Sequence, residues 1–292
     1  MALVSVILPT RDRPALLPRA VRSVLAQEGA DFEVVVIDSN RQSRPVIEAH
    51  AGAEWLSDTR LRVITAGKAA NAAAARNVGL TAVASEWITY LDDDDVYRQG
   101  KLARQLDLAQ TTGATLVLCG AEFFLRQRRR VVQVERSEWK NDELILRARW
   151  NTPLLMHRHP GAARFDETLS PGEDAEFAHR LLARANAPAV PVASAALVEI
   201  HPQSGPRVNS NPQPMRAAAA RILAQRPKFY SRTARRRFVL QMLLGEAKLR
   251  GQTWRCLRLS IALLRESVGN DWRVCANALA VSTGVLRGRW VS

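Results

Sequence analysis

Residues 87–102 read WITYLDDDDVYRQGKL, an apolar run that ends in four consecutive aspartates, Asp92 to Asp95. Trp87 to Leu91 has the unbroken apolar, β-branched and aromatic character of a strand covered on both faces. Adjacent carboxylates repel by about 1 kcal/mol per pair at 4 Å in water, and several-fold more where water is scarce. Packing gives no reason for such a run, so it predicts a positively charged ligand at the end of that strand. In extended chain, side chains two apart point the same way. Asp92 and Asp94 are therefore expected to converge, with Asp93 turned aside and Asp95 capping the next helix, RQGKLARQLDLAQ (98–110). Two converging carboxylates suit a hard divalent cation, Mg²⁺ or Mn²⁺, whose shell phosphate oxygens and water complete. The bland alternative is a solvated acidic loop at a helix start.

On either side of this run, strand-like and helix-like stretches alternate. LVSVILP (3–9), FEVVVID (32–38) and LRVITAG (61–67) read as strands. PALLPRAVRSVLAQ (14–27), RPVIEAHA (44–51) and the alanine-rich 69–84 read as helices between them. Continuous apolar strands separated by helices predict an open α/β fold with a mostly parallel sheet, and ligands at the carboxyl ends of its strands. Three polar clusters fall at such ends: Thr10-Arg11-Asp12, Asp38 and the aspartate run. Singly, Asp12 or Asp38 is equally well explained by a turn. Together they outline a nucleotide-sized crevice.

The chain has 292 residues, enough for one large domain and an appendage. Three cysteines, Cys119, Cys256 and Cys275, form no C-x-x-C pair, which argues against a disulfide scaffold or zinc knuckle and fits a reducing, cytoplasmic setting. The first residues lack the basic lead and cleavage site of a secretory signal. The net charge of +14 is unevenly placed. Residues 1–200 balance 25 basic against 25 acidic side chains, whereas residues 201–292 hold 17 against 3.

VSVILPTRDRPALLPRAVRSVLAQ, FEVVVID, ANAAAARNVGLTAVASEWITYLDDDDV and FDETLSPGEDAEFAHRLL resemble, in order and spacing, family 2 glycosyltransferases of the GT-A fold. The resemblance covers roughly the first 200 residues. It implies inverting transfer of a hexosyl or hexosaminyl group from a nucleotide-sugar to an acceptor hydroxyl, with Mn²⁺ or Mg²⁺ as cofactor. It places Pro9, Thr10 and Arg11 beside the nucleoside, Asp38 at the uracil edge and Arg76 against the nucleotide. Asp92 and Asp93 complete the expected donor-binding set. Asp92 and Asp94 match the D-x-D pair, with Asp94 the direct metal ligand, and Asp174 falls where the family places its catalytic base. The bland alternative for Glu173-Asp174 is acid in a helix first turn. Ser39 stands where the family often has a second acid, which leaves UDP favoured and other nucleoside diphosphates open.

His201 resembles a further metal ligand of some GT-A enzymes, with a plain surface histidine as the alternative. His157 and His159 are expected to line the acceptor side or the surface. PQSGPRVNSNPQP (202–214) reads as a loop able to close over bound donor. The sequence thus divides into a catalytic domain over 1–214 and a basic helical region over 215–292. Within the latter, TARRRFVLQMLLGEAKLRG (233–251), TWRCLRLSIALLRES (253–267) and DWRVCANALAVSTGVLRGRW (271–290) alternate apolar residues and arginines, with Trp254, Trp272 and Trp290. That pattern predicts peripheral contact with an anionic membrane surface, on the inner face of the cell membrane, near a lipid-linked or cell-surface glycan acceptor. A nucleic-acid-binding role would explain the basic region, but stacking platforms are missing, so no nucleic acid partner is expected. A metal-dependent nucleotidyltransferase and a non-catalytic scaffold are the remaining rivals. The sugar, the acceptor linkage and the oligomeric state are not encoded legibly.

Overall fold

The computed structural model describes residues 3–39, 53–67, 69–125, 128–132, 137–140, 142–146, 151–169, 171–201, 212–225, 228–249 and 251–266. In chain order these form β1 (Val4–Thr10), α1 (Leu17–Leu25), β2 (Phe32–Asp38), β3 (Leu61–Thr65), α2 (Ala72–Ala82), β4 (Trp87–Tyr90) and β5 (Val96–Tyr97). Next come α3 (Lys101–Thr112), β6 (Leu116–Leu125), β7 (Arg128–Val132), β8 (Glu138–Lys140), α4 (Asp142–Leu146), β9 (Leu155–Arg158), α5 (Glu173–Arg184) and β10 (Ala189–Ile200). Three helices close the described chain: α6 (Pro212–Gln225), α7 (Arg232–Leu249) and α8 (Thr253–Glu266).

The main sheet runs β3-β2-β1-β4-β9-β6-β10-β5. β1 pairs in parallel with β2 and β4, and β2 with β3, as the alternating strands and helices predict. Burial explains why. Val6, Leu8, Val34 and Val36 face α1 and α3 in one apolar cluster, whereas Ile7, Val35 and Ile37 face α2 and α5 in another. Each fully buried aliphatic side chain contributes about 1.5–3 kcal/mol, so strands apolar on both faces are stable only between two helical layers. Gly79 lets α2 lie close to the sheet, since a Cβ there would stand 2.5 Å from Cγ2 of Ile7. Asn71 starts α2 by accepting from the Ala74 amide at 3.0 Å.

The parallel order breaks at β9, which pairs antiparallel with both β4 and β6. β9 therefore ends at the edge where β4 begins, and the chain must travel back to reach the other edge. Residues 159–169 do so along α2. Arg164 donates to Thr81, Phe165 and Glu167 bond Asn77, and Asn71 Nδ2 reaches the Glu167 carbonyl at 2.8 Å. This return strap delivers α5 to the carboxyl edge.

Several expectations need revising. α3 starts at Lys101, after β5 and a turn at Gly100 (φ 78°), and has no side-chain cap. Asp95 does not cap it; its Oδ1 accepts from the His201 amide at 2.9 Å. His157 lines neither an acceptor face nor the surface. It is fully buried on β9, 2.9 Å from the Tyr90 hydroxyl, and burial lowers its pKa to about 4. Residues 212–214 form the first turn of α6, where proline is tolerated, and are not loop. The expected helix over 44–51, most of the 202–214 segment and the basic stretch 271–290 lie outside the described residues.

α6 packs on α5, α7 on α4 and α6, and α7 with α8 as a helical pair around Leu244, Ala247 and Cys256. Among the described residues no helix is long and apolar enough to cross a membrane. Lys101, fully buried, donates to Thr89 and to the Tyr97 hydroxyl at 2.9 Å, and burial lowers its pKa to about 7.

Candidate functional site

Strand register builds the acidic centre. Ile7 pairs with Tyr90, so three residues further along both chains Thr10 meets Asp93. Thr10 Oγ1 donates to Asp93 Oδ2 at 2.8 Å. The Arg13 guanidinium spans two carboxylates, with Nη2 3.0 Å from Asp93 Oδ1 and Nη1 3.1 Å from Asp94 Oδ2. Arg19 adds a hydrogen bond to the Asp94 carbonyl. Asp93, expected to turn aside, is fully buried, and burial raises its pKa to about 7 against the pull of Arg13 and Thr10. Burial, then the charge of Asp92, raises the pKa of Asp94. The same two causes raise that of Asp95.

Asp92 keeps a third of its side chain exposed and takes Arg76 Nη2 at 2.6 Å. Arg76 itself is buried on α2, with its Cζ 5.7 Å from the Phe165 ring centre, and its Nη1 lies 3.5 Å from Glu173 Oε1. Burial opposes its charge, but Asp92, Glu173 and Asp174 outweigh it and hold the guanidinium protonated. One arginine thus joins the end of β4 to the start of α5. There Gly172 (φ 114°) precedes Glu173 and Asp174, and Asp174 Oδ1 accepts from the Ala175 amide at 2.7 Å. Burial, then the Glu173 charge, raises the pKa of Asp174, while Arg76 pulls the other way.

The nucleoside-side candidates share this edge. Thr10 and Asp38 pair across β1 and β2 and both are buried. Pro9 precedes Thr10 in the same strand, and Arg11 donates to the Ala69 carbonyl ahead of α2. Ser39 Oγ is buried with no hydrogen-bond partner among the described residues. His201 follows β10, stacked on Phe124 at 4.5 Å, with Nε2 3.5 Å from Glu199. Arg13 and Arg19 escape sequence reading. Their signal is the arginine spacing in TRDRPALLPR, opposite in charge to the aspartate run.

Among the described residues no three histidine, cysteine or acidic side chains form a ready metal cluster. Divalent cations at nucleotides need less, one or two carboxylates plus phosphate oxygens and water. Asp92 and Asp94 both present carboxylate oxygens at the end of β4, each held by one arginine among the described residues, and a donor set of two such carboxylates fits Mg²⁺ or Mn²⁺.

A family model described as glycosyl transferase family 2 matches residues 5–169. The succinoglycan biosynthesis protein ExoO of Rhizobium meliloti is 29% identical over 174 residues, covering 53% of this chain and 49% of that protein. The Escherichia coli UDP-Glc:alpha-D-GlcNAc-diphosphoundecaprenol beta-1,3-glucosyltransferase WfgD is 30% identical over 106 residues, covering 36% of this chain and 40% of that one. The chain thus spans half or less of the length of these relatives. The crystal structure of S. aureus TarS 1-349 in complex with UDP superposes with a TM-score of 0.64 at 14% identity, covering 99% of this chain and 93% of that one.

Proposed function

Because the chain belongs to glycosyl transferase family 2 and has the GT-A fold, we propose that it transfers a sugar from a UDP-sugar to an acceptor hydroxyl with inversion. The observation that carries this reading is the Arg76 bridge, which sets the Asp92 end of β4 beside Glu173 and Asp174. It couples a donor-side carboxylate to a base in a partly dry setting. Asp174, its pKa raised by burial and by Glu173, takes the proton of the acceptor hydroxyl as that oxygen bonds to the anomeric carbon. The bond from that carbon to the diphosphate breaks on the opposite side, and the nucleoside diphosphate leaves.

Asp94 and Asp92 would hold Mn²⁺ or Mg²⁺, with His201 as a third candidate ligand. When bound, such an ion stabilises negative charge on the departing diphosphate. Thr10 and Arg13 fix Asp93 and steer Asp94. Pro9, Arg11 and Asp38 border the nucleoside. UDP is supported by the neighbouring fold, crystallised with UDP and with UDP-GlcNAc. A hexose or hexosamine as the transferred group fits these donors. A cell-surface or lipid-linked glycan acceptor is supported by relatives named for succinoglycan biosynthesis and for action on a diphosphoundecaprenol-linked sugar. The catalytic domain over 1–214 would work from the inner face of an anionic membrane, held there by the basic region after it. That arrangement is supported by the 17 basic and 3 acidic residues of 201–292.

Calorimetry with UDP-sugars, with and without Mn²⁺, tests the donor and the cofactor together. Metal-dependent binding of a UDP-sugar is expected. Binding of nucleoside triphosphates in its place would favour a nucleotidyltransferase.

A further inference from the structure

α6, α7 and α8 enclose an open groove of about 900 Å³. Arg232, Arg235, Arg236 and Arg258, all exposed, line it, and among the described residues no carboxylate does. Arg232, Arg235, Arg236 and Val239 are spaced i, i+3, i+4, i+7, so one face of α7 presents them together. On α8, Arg258 and Ile261 continue a stripe that starts at Trp254. Among the described residues the large hydrophobic side chains left exposed are Val239 (41%), Trp254 (80%) and Ile261 (39%); Val239 and Ile261 line the groove, and Trp254 lies one turn before Arg258 on α8. Arg232, Arg235 and Arg258 have no ion-pair partner among the described residues.

Cations that ring an apolar floor match an anion carrying a hydrocarbon chain. The sequence after α8, residues 267–292, holds three arginines and one aspartate, so its charge does not complement these arginines. A nucleic acid would satisfy the arginines but leave Val239 and Ile261 against water. We infer that this groove binds the phosphate headgroup of an anionic phospholipid. The arginines fork onto its phosphate oxygens, Val239, Leu240 and Ile261 meet the start of the acyl chain, and Trp254 sits at headgroup level. The inference rests on the membrane reading above and locates the contact.

Co-sedimentation of the full chain with vesicles of phosphatidylcholine, alone or with about 30% phosphatidylglycerol, tests both. Three proteins are compared: wild type, Arg232→Gln/Arg235→Gln/Arg258→Gln, and the control Arg22→Gln/Arg104→Gln/Arg184→Gln, which removes the same charge from exposed sites elsewhere. Wild type should bind only the anionic vesicles, the groove variant about a hundredfold less tightly, and the control within about threefold of wild type. Val239→Gln/Ile261→Gln, which leaves charge unchanged, should also weaken binding, and keeps the test open if the arginine variant loses its helical signal. Failure of wild type to bind anionic vesicles overturns the membrane reading and the groove together. Equal losses in the groove and control variants overturn the groove alone. Tighter binding to an RNA oligonucleotide than to vesicles, lost in the groove variant, overturns it in favour of nucleic acid.

Discussion

Replacing Arg76 with glutamine removes the cation shared by Asp92 and Glu173 and leaves a shorter, neutral polar side chain. The guanidinium is 5% exposed and touches Asp92 at 2.6 Å, a carboxylate one-third exposed. With an effective dielectric constant near 20, charges about 4 Å apart attract by about 4 kcal/mol, and the exposure of Asp92 cuts this by roughly half. Loss of the longer Glu173 contact and the unmasked repulsion among Asp92, Glu173 and Asp174 bring the total to about 3 kcal/mol. That agrees with the roughly 3–5 kcal/mol found when one partner of a buried pair is removed. For a domain of this size it corresponds to a fall in Tm of about 6–12 °C. Differential scanning fluorimetry in chelator at pH 7.5 reads it directly. The deficit should shrink toward pH 5, because protonating the orphaned acids relieves their repulsion. A Tm within about 2 °C of wild type at pH 7.5 would show that the bridge is solvent-screened and does not join β4 to α5.

Asp174→Asn should leave UDP-sugar affinity within a few-fold while turnover falls by about 10²–10⁴-fold, and near-normal turnover would remove Asp174 as base. Asp94→Asn should abolish Mn²⁺-dependent UDP binding measured by calorimetry, with Asp93→Asn far milder; equal losses would contradict the assigned geometry. Asp93 binds its proton more tightly folded than unfolded, so wild-type stability should fall as pH rises from about 4 to about 7. In chelator the Tm of Asp93→Asn relative to wild type should therefore climb across that window and level off above it, and a flat difference would refute the raised pKa. Lys101 has the opposite sense: wild type regains stability as pH rises from about 7 toward 10.5. Thr89 and the Tyr97 hydroxyl, 3.1 Å apart, can pair without the amine, so Lys101→Met should hold its largest Tm advantage below pH 7 and lose it by pH 10; a pH-independent difference would refute the lowered pKa.

The parallel strands are legible because burial on both faces writes itself as unbroken apolar sequence, as in VSVIL and VVVI. β9 is not, because LLMHRHP mixes apolar residues with two histidines. Only the packed structure shows His157 as a neutral core residue bonded to Tyr90. The aspartate run announces a charge-bearing site, yet its partners lie about 16 to 106 residues away in sequence, so nothing local assigns them. Asp95 misleads for that reason. Turn chemistry allows it to cap a helix, but the β5 pairing with β10 carries it to the His201 amide. Arg76 is identified through resemblance to a family motif, whereas its bridging geometry comes from the return of the chain along α2.

That return has a consequence for how the molecule tolerates change. The strap after β9 is anchored to α2 at Thr81, Asn77 and Asn71 in turn, and it hands the chain to the helix that bears Asp174. It therefore behaves as a ruler. One residue added or removed would displace the start of α5 by up to about 3.3–3.6 Å, several times the roughly 0.5 Å within which a catalytic group must be held. Side chains along the strap that point to solvent are free to drift among descendants of this gene, whereas its length is not. Insertions should therefore accumulate in other loops and be missing from residues 159–169.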